Sequence, residues 1–291
     1  MNKSKIVLKL SLALAGLIIF AGIYSLLTPG FYSAESLNWQ AQSVGQDEIN
    51  LFIISPVLII TAIFGRWNKI AFQLWSGVNL YLIYTYAIYC FDIHFNNLFI
   101  IYCLILGSSF YSFLYFLFSQ INKPGVDGIY NKIVIKVIAV YFLIISCLFY
   151  LLWLSEIIPA IIHHTLPKGI IETSLFTNPV QVIDLSIVLP GFFLTAVFLI
   201  RKKSIGLLLL PGMLVFCILM DITIGWLTIV IKMKGLEAGY SVMIIMSVLA
   251  LLSVVLLIWY LKSVRYPVKN KYNKMVITTA RISIICGAFY F

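Results

Sequence analysis

Asn178-Pro179-Val180-Gln181-Val182-Ile183-Asp184-Leu185-Ser186-Ile187-Val188-Leu189-Pro190-Gly191 opens the first of two long apolar runs that meet at the basic turn Arg201-Lys202-Lys203-Ser204. The second run repeats the pattern, with Leu210-Pro211-Gly212 and then Asp221. Each run is long enough for a helix to cross a bilayer. Each carries a Leu-Pro-Gly break and one carboxylate. A carboxylate among lipid chains costs a few kcal/mol, so each acid needs a structural or functional reason to be there.

Composition extends this reading to the whole chain. It has 291 residues, of which 62% are hydrophobic and 10% charged, with a mean hydropathy of +1.06. A soluble domain is about one-quarter charged, so the solvent of this chain is lipid. The net charge of +10 would suggest nucleic acid in a soluble protein. Here it reads as the Lys and Arg that collect in cytoplasmic loops, which makes the lipid bilayer the partner and excludes nucleic acid. Cys90, Cys103, Cys147, Cys217 and Cys286 show no CxxC spacing. They read as small hydrophobes, with neither a disulfide framework nor a zinc site.

Hydropathy divides the chain into eight expected spans, at 6–27, 51–64, 70–91, 97–118, 133–154, 179–200, 205–231 and 240–261. The second is short and holds Pro56, which implies a kinked helix packed among neighbours. The third is unusually polar, with Gln73, Ser76, Asn79, Tyr81, Tyr84, Thr85, Tyr86 and Tyr89. That pattern fits either an interior lined with polar groups or ordinary hydrogen bonding between helices. Residues 28–50 read as a polar loop, with 34–39 as a short helix on the membrane surface, and 155–178 as a second long loop. Asn178 and Pro179 suit the N-cap and first position of the sixth span. The fold class is therefore an all-α polytopic membrane helical bundle, with one transmembrane domain over 1–264. The tail 265–291 is basic, then apolar around Arg281, and reads as an interfacial helix.

With the N-terminus placed in the cytoplasm, alternate loops put every one of the 20 Lys and Arg on that side except Lys168, Lys232 and Lys234. So strong a bias implies an N-in/C-in orientation. At a rise of ~1.5 Å per residue, Asp184 then lies ~7–8 Å below the outer boundary. On the same rise, Asp221 lies ~24 Å up from the inner one, through a core of ~30 Å. Both acids fall in the outer leaflet on adjacent antiparallel helices. Asp47, Glu48, Asp92, His94, Glu156, His163 and His164 gather at the same face.

Three functional readings compete. In the first, Asp184, Asp221, Glu156, Asp47 and Asn178 line an outward-facing acidic cavity that binds and translocates a cation or small solute. Two close carboxylates in low dielectric would share a proton or a cation. In the second, the acids and histidines form a membrane-embedded enzyme site at the outer leaflet. His163 and His164 are adjacent and diverge on a helix, and HExxH and GxSxG are absent, so no catalytic residue or metal ligand stands out. In the third, the chain is an accessory or sensor subunit and its acids are hydrogen-bonded glue. A retinal protein is excluded because 240–261 lacks the Schiff-base lysine, and an ATP-driven pump because no Walker loop occurs. No cofactor is implied.

Three stretches carry a resemblance. Trp39-Gln40-Ala41-Gln42-Ser43-Val44-Gly45-Gln46-Asp47, residues 81–102 and residues 177–221 together resemble an uncharacterised family of bacterial multi-pass membrane proteins, over about residues 39–261. The resemblance implies a bacterial cytoplasmic membrane and no activity. Within it Asp47, Glu156, Asn178 and Asp184 are the positions of interest.

Overall fold

The computed structural model describes residues 3–121 and 130–264, and among these every regular element is helical. In chain order these are α1 (Lys3–Leu27), α2 (Leu37–Ile49), α3 (Ser55–Gly65), α4 (Lys69–Phe91), α5 (Phe99–Ile121) and α6 (Lys132–Ile162). They continue with α7 (Lys168–Thr173), α8 (Pro179–Ile183), α9 (Leu189–Ile200), α10 (Ser204–Met233) and α11 (Tyr240–Ser263). Five-residue π turns, Asn50–Ile54 and Asp184–Val188, join α2 to α3 and α8 to α9 as continuous rods.

Seven helices are long and apolar enough to cross a membrane: Ile6–Leu27, Leu37–Gly65, Phe99–Gln120, Lys132–Ile162, Pro179–Ile200, Ser204–Met233 and Tyr240–Ser263. Large apolar side chains on their outer faces, such as Ile144, Leu151, Ile244 and Leu251, are exposed. A surface this apolar is expected against lipid rather than water. The helix at 70–91 is present as α4 but is not among the seven, because its polar side chains lower its hydropathy. It is buried along most of its length by its neighbours instead.

The largest departure from expectation is at 28–50. The stretch is not a loop with a surface helix at 34–39. Ser36 caps a helix that starts at Leu37, its hydroxyl accepting from Trp39 N at 3.3 Å, and the rod runs unbroken to Gly65. Hydropathy hid it because Trp39, Ala41, Ser43, Gly45 and Asp47 are covered by protein. Gly45 lets this rod lie on α10, where an added Cβ would sit 3.1 Å from Val230. The helix expected at 133–154 also continues to Ile162, with Pro159 in its last turns, which shortens the expected 155–178 loop.

The Leu-Pro-Gly motifs do not break their helices. Pro190 follows the π turn, whose wider ring lets the Leu189 amide reach back to Asp184 O. Pro56 follows the other π turn in the same way, with Ser55 N reaching Asn50 O and Ser55 Oγ donating to that carbonyl at 2.9 Å. Pro211 lies inside α10, and a proline withholds the amide that would bond the carbonyl four residues earlier. That carbonyl is Leu207 O, and the side-chain amide of Gln73 on α4 donates to it at 3.4 Å. The next residue, Gly212, meets Gly77 at a close crossing: a Cβ on Gly212 would stand 2.7 Å from Ser76 Oγ, and one on Gly77 would run into the Gly212 carbonyl. Helices α4 and α10 therefore form the centre. Asn178 caps α8 as expected, accepting from Gln181 N at 3.2 Å with Pro179 in the first turn.

Helix α11 ends at Ser263 with Lys262 in its last turn, and the tail 265–291, with its expected interfacial helix, lies outside the described residues.

Candidate functional site

Helix α4 distributes hydroxyl groups to its neighbours. Tyr89, near its end, donates to Asp47 Oδ1 at 2.7 Å. Tyr81, two turns earlier, pairs with Thr223 of α10 at 2.8 Å and receives the Gln46 amide at 2.8 Å. Tyr84, on another face of α4, stands beside Asp184 without a hydrogen bond of ordinary geometry. Gln46, Asp47 and Glu48 thus reach three directions from α2, since Glu48 accepts from Trp226 Nε1 at 2.7 Å.

Asp47 is the most enclosed acid among the described residues, 3% exposed. Tyr32 donates to its Oδ2 at 2.6 Å, and Ser25 Oγ donates to the same oxygen. Three hydroxyl groups from α1, the 28–36 turn and α4 therefore share one carboxylate, with no Lys or Arg among its partners. Tyr86, Tyr89 and Tyr102 pack on one another around it, with the Tyr89 and Tyr102 ring centroids 4.9 Å apart.

The other expected site residues fall in separate places. Asp184 begins the second π turn and accepts from Trp153 Nε1 at 2.9 Å. Glu156 accepts from Gly169 N at 3.1 Å and from Gln181 Nε2 at 2.8 Å. It thereby stitches α6, α7 and α8 next to the Asn178 cap, whose amide lies close to Gly169 as well. Asp221 on α10 is 7% exposed, and its Oδ2 has no hydrogen-bond partner. Its neighbours are Cys217 and Tyr141, and the Tyr141 hydroxyl pairs with Ser253 of α11 at 2.6 Å. Among the described residues the three aspartates within the helical rods are thus graded: three side-chain donors at Asp47, one at Asp184 and none at Asp221.

Sequence reasoning passed over a further pair. Glu35, buried in the turn after α1, accepts from His94 N at 2.7 Å and meets His94 Nδ1 at 3.0 Å. The imidazole is 62% exposed and the carboxylate 3%. Burial, and then the nearby Glu35 charge, push the neighbouring Asp92 carboxyl up to about 6. The signal available was the separation of Glu35 and His94 into two turns at one end of antiparallel spans, which sets proximity but not contact. His163 and His164 end α6 exposed. Among the described residues no three His, Cys, Asp or Glu side chains come together to hold a metal ion, and Cys90, Cys103, Cys147 and Cys217 are free.

The architecture is consistent with a multi-pass membrane protein. No family model, no curated protein and no solved structure matches the chain, so the resemblance to a bacterial membrane family gains no support from them.

Proposed function

We propose that the chain is an eight-pass protein of the bacterial cytoplasmic membrane, N-in/C-in, that binds and translocates a cation or small solute, with Asp221 as the binding carboxylate. The observation that carries this is the unpaired, buried Oδ2 of Asp221. A carboxylate oxygen sealed from water requires a donor, a proton or a cation, because an unpaired buried charge costs several kcal/mol. Asp184, with one donor, retains acceptor capacity at a separate place in the bundle. Asp47 and Glu156 have theirs largely filled, which suits them to holding helices together. For the eighth pass, the 23 residues of α4 span ~34 Å at the helical rise, enough for a core of ~30 Å. Bilayer-facing neighbours then shield its polar groups.

The test is uptake of sodium, potassium and choline ions into proteoliposomes. Loss of uptake in Asp221→Asn, with monodisperse folded protein, supports the reading; equal uptake in wild type and variant overturns it, as does the absence of uptake in wild type.

The Glu35–His94 pair favours a second reading, an enzyme acting at the outer leaflet. A buried carboxylate that holds one imidazole nitrogen leaves the other free to take a proton from a bound molecule.

A further inference from the structure

We infer that Asp47 is a proton-binding site reached from the surface through Tyr102 and Tyr32. This goes beyond the role given to Asp221 and does not depend on it. The ligand follows from the way the carboxylate is occupied. Tyr32 and Ser25 donate to Oδ2 and Tyr89 donates to Oδ1. A carboxylate has about four acceptor positions, and here most are taken by O–H groups pointing inward. A metal ion or an ammonium would have to displace those hydrogens and find room beside packed rings. A proton needs no such room, because hydroxyl groups already in place can carry it inward by exchange.

The route is marked by an orphan. The Tyr102 hydroxyl is buried, with 1% of the residue exposed, and has no hydrogen-bond partner of ordinary geometry. A buried hydroxyl left in this way is costly unless it has a use. The polar side chains beside it are those of Tyr32 and Asn96. Asn96 belongs to the partly exposed turn between α4 and α5, where its amide donates to His94 O at 3.0 Å. The order from surface to interior is therefore Asn96, Tyr102, Tyr32, Asp47. In one transfer, a water that enters beside Asn96 gives a proton to Tyr102 O, Tyr102 passes its own to Tyr32 O, and Tyr32 passes its own to Asp47 Oδ2. Both phenols end neutral, the carboxylate becomes a carboxylic acid, and one hydroxide is left in the solvent. Tyr32 lies three residues before Glu35 in one turn, so the His94 contact holds this turn over the site.

The test is pH-jump infrared spectroscopy of the full chain in nanodiscs, reading the carboxylic-acid C=O band and its rise time. Wild type is expected to show a titrating band that Asp47→Asn removes and Asp47→Glu shifts in frequency. Tyr102→Phe is expected to keep the band and slow its rise at least tenfold. A band unchanged in both Asp47 variants, or no titrating band in wild type, overturns the site. An unaltered rise time in Tyr102→Phe overturns the route. Cation uptake by the same nanodisc-purified protein in liposomes reports on Asp221 separately, so the two readings fail independently.

Discussion

Gln73 donates its side-chain amide to the backbone carbonyl of Leu207, the group that Pro211 leaves without an amide partner. A proline inside one helix is thus compensated by a polar side chain from the next, which is how membrane bundles tolerate such residues. Gln73→Met is expected to lower unfolding stability by about 1–2 kcal/mol. In a Pro211→Ala background, where the helix can satisfy its own carbonyl, the cost should shrink to near zero. Steric-trapping or denaturant titrations of the double-mutant cycle would measure it, and an equal cost in both backgrounds would refute the compensation.

The Gly77–Gly212 crossing admits no side chain. Gly77→Ala is expected to cost at least about 3 kcal/mol, the upper end of overpacking, because the obstacle is the Gly212 backbone rather than a flexible side chain. Gly16→Ala, where nothing lies within 4 Å, is the control and should be nearly neutral in the same assay.

At Asp92 the sign of the pH effect follows from its raised carboxyl value of about 6, against an ordinary 3.8. The folded state binds the proton more tightly than the unfolded one. The resulting stabilisation is present below about 4 and is lost as pH rises through about 6. Asp92→Asn should therefore flatten the thermal-stability profile across that window and leave the variant slightly more stable at neutral pH. A steeper profile in the variant would contradict this.

Glu156 joins three helices through Gly169 N and Gln181 Nε2. Glu156→Gln keeps one acceptor oxygen and should lose about 1 kcal/mol, with Glu156→Ala losing about 2–3 kcal/mol as both donors are stranded. If Glu156→Gln abolished ion uptake at unchanged stability, the residue would be a ligand group and not a stitch.

Much of the bundle was legible because lipid-facing helices advertise themselves by apolar length, as 179–200 and 240–261 do. What hydropathy cannot mark is a helix whose neighbours are protein. Residues 37–49 are polar enough to resemble a loop, yet Trp39, Ser43 and Asp47 are buried. The importance of α4 was visible in its run of tyrosines and amides, while the partners of those groups were not. By residue type and depth alone, Asp47 and Glu156 stand level with Asp221; only side-chain placement separates a carboxylate with three hydroxyl donors from one with none. Glu35 and His94, 59 positions apart in sequence, show no spacing that would announce a bond.

The two π turns have a further consequence for how this chain can vary. A π turn accommodates one residue more than the α-helix it interrupts, so the faces on either side are rotated by roughly 100° relative to an uninterrupted helix. Asn50–Ile54 and Asp184–Val188 therefore act as phase shifts in the pattern of buried and lipid-facing positions. A single-residue deletion there would leave a regular helix, yet swing Asp47 away from its hydroxyl partners or turn the 179–183 segment off Glu156. Insertions and deletions at these two places should thus be selected against more strongly than substitutions of the same residues.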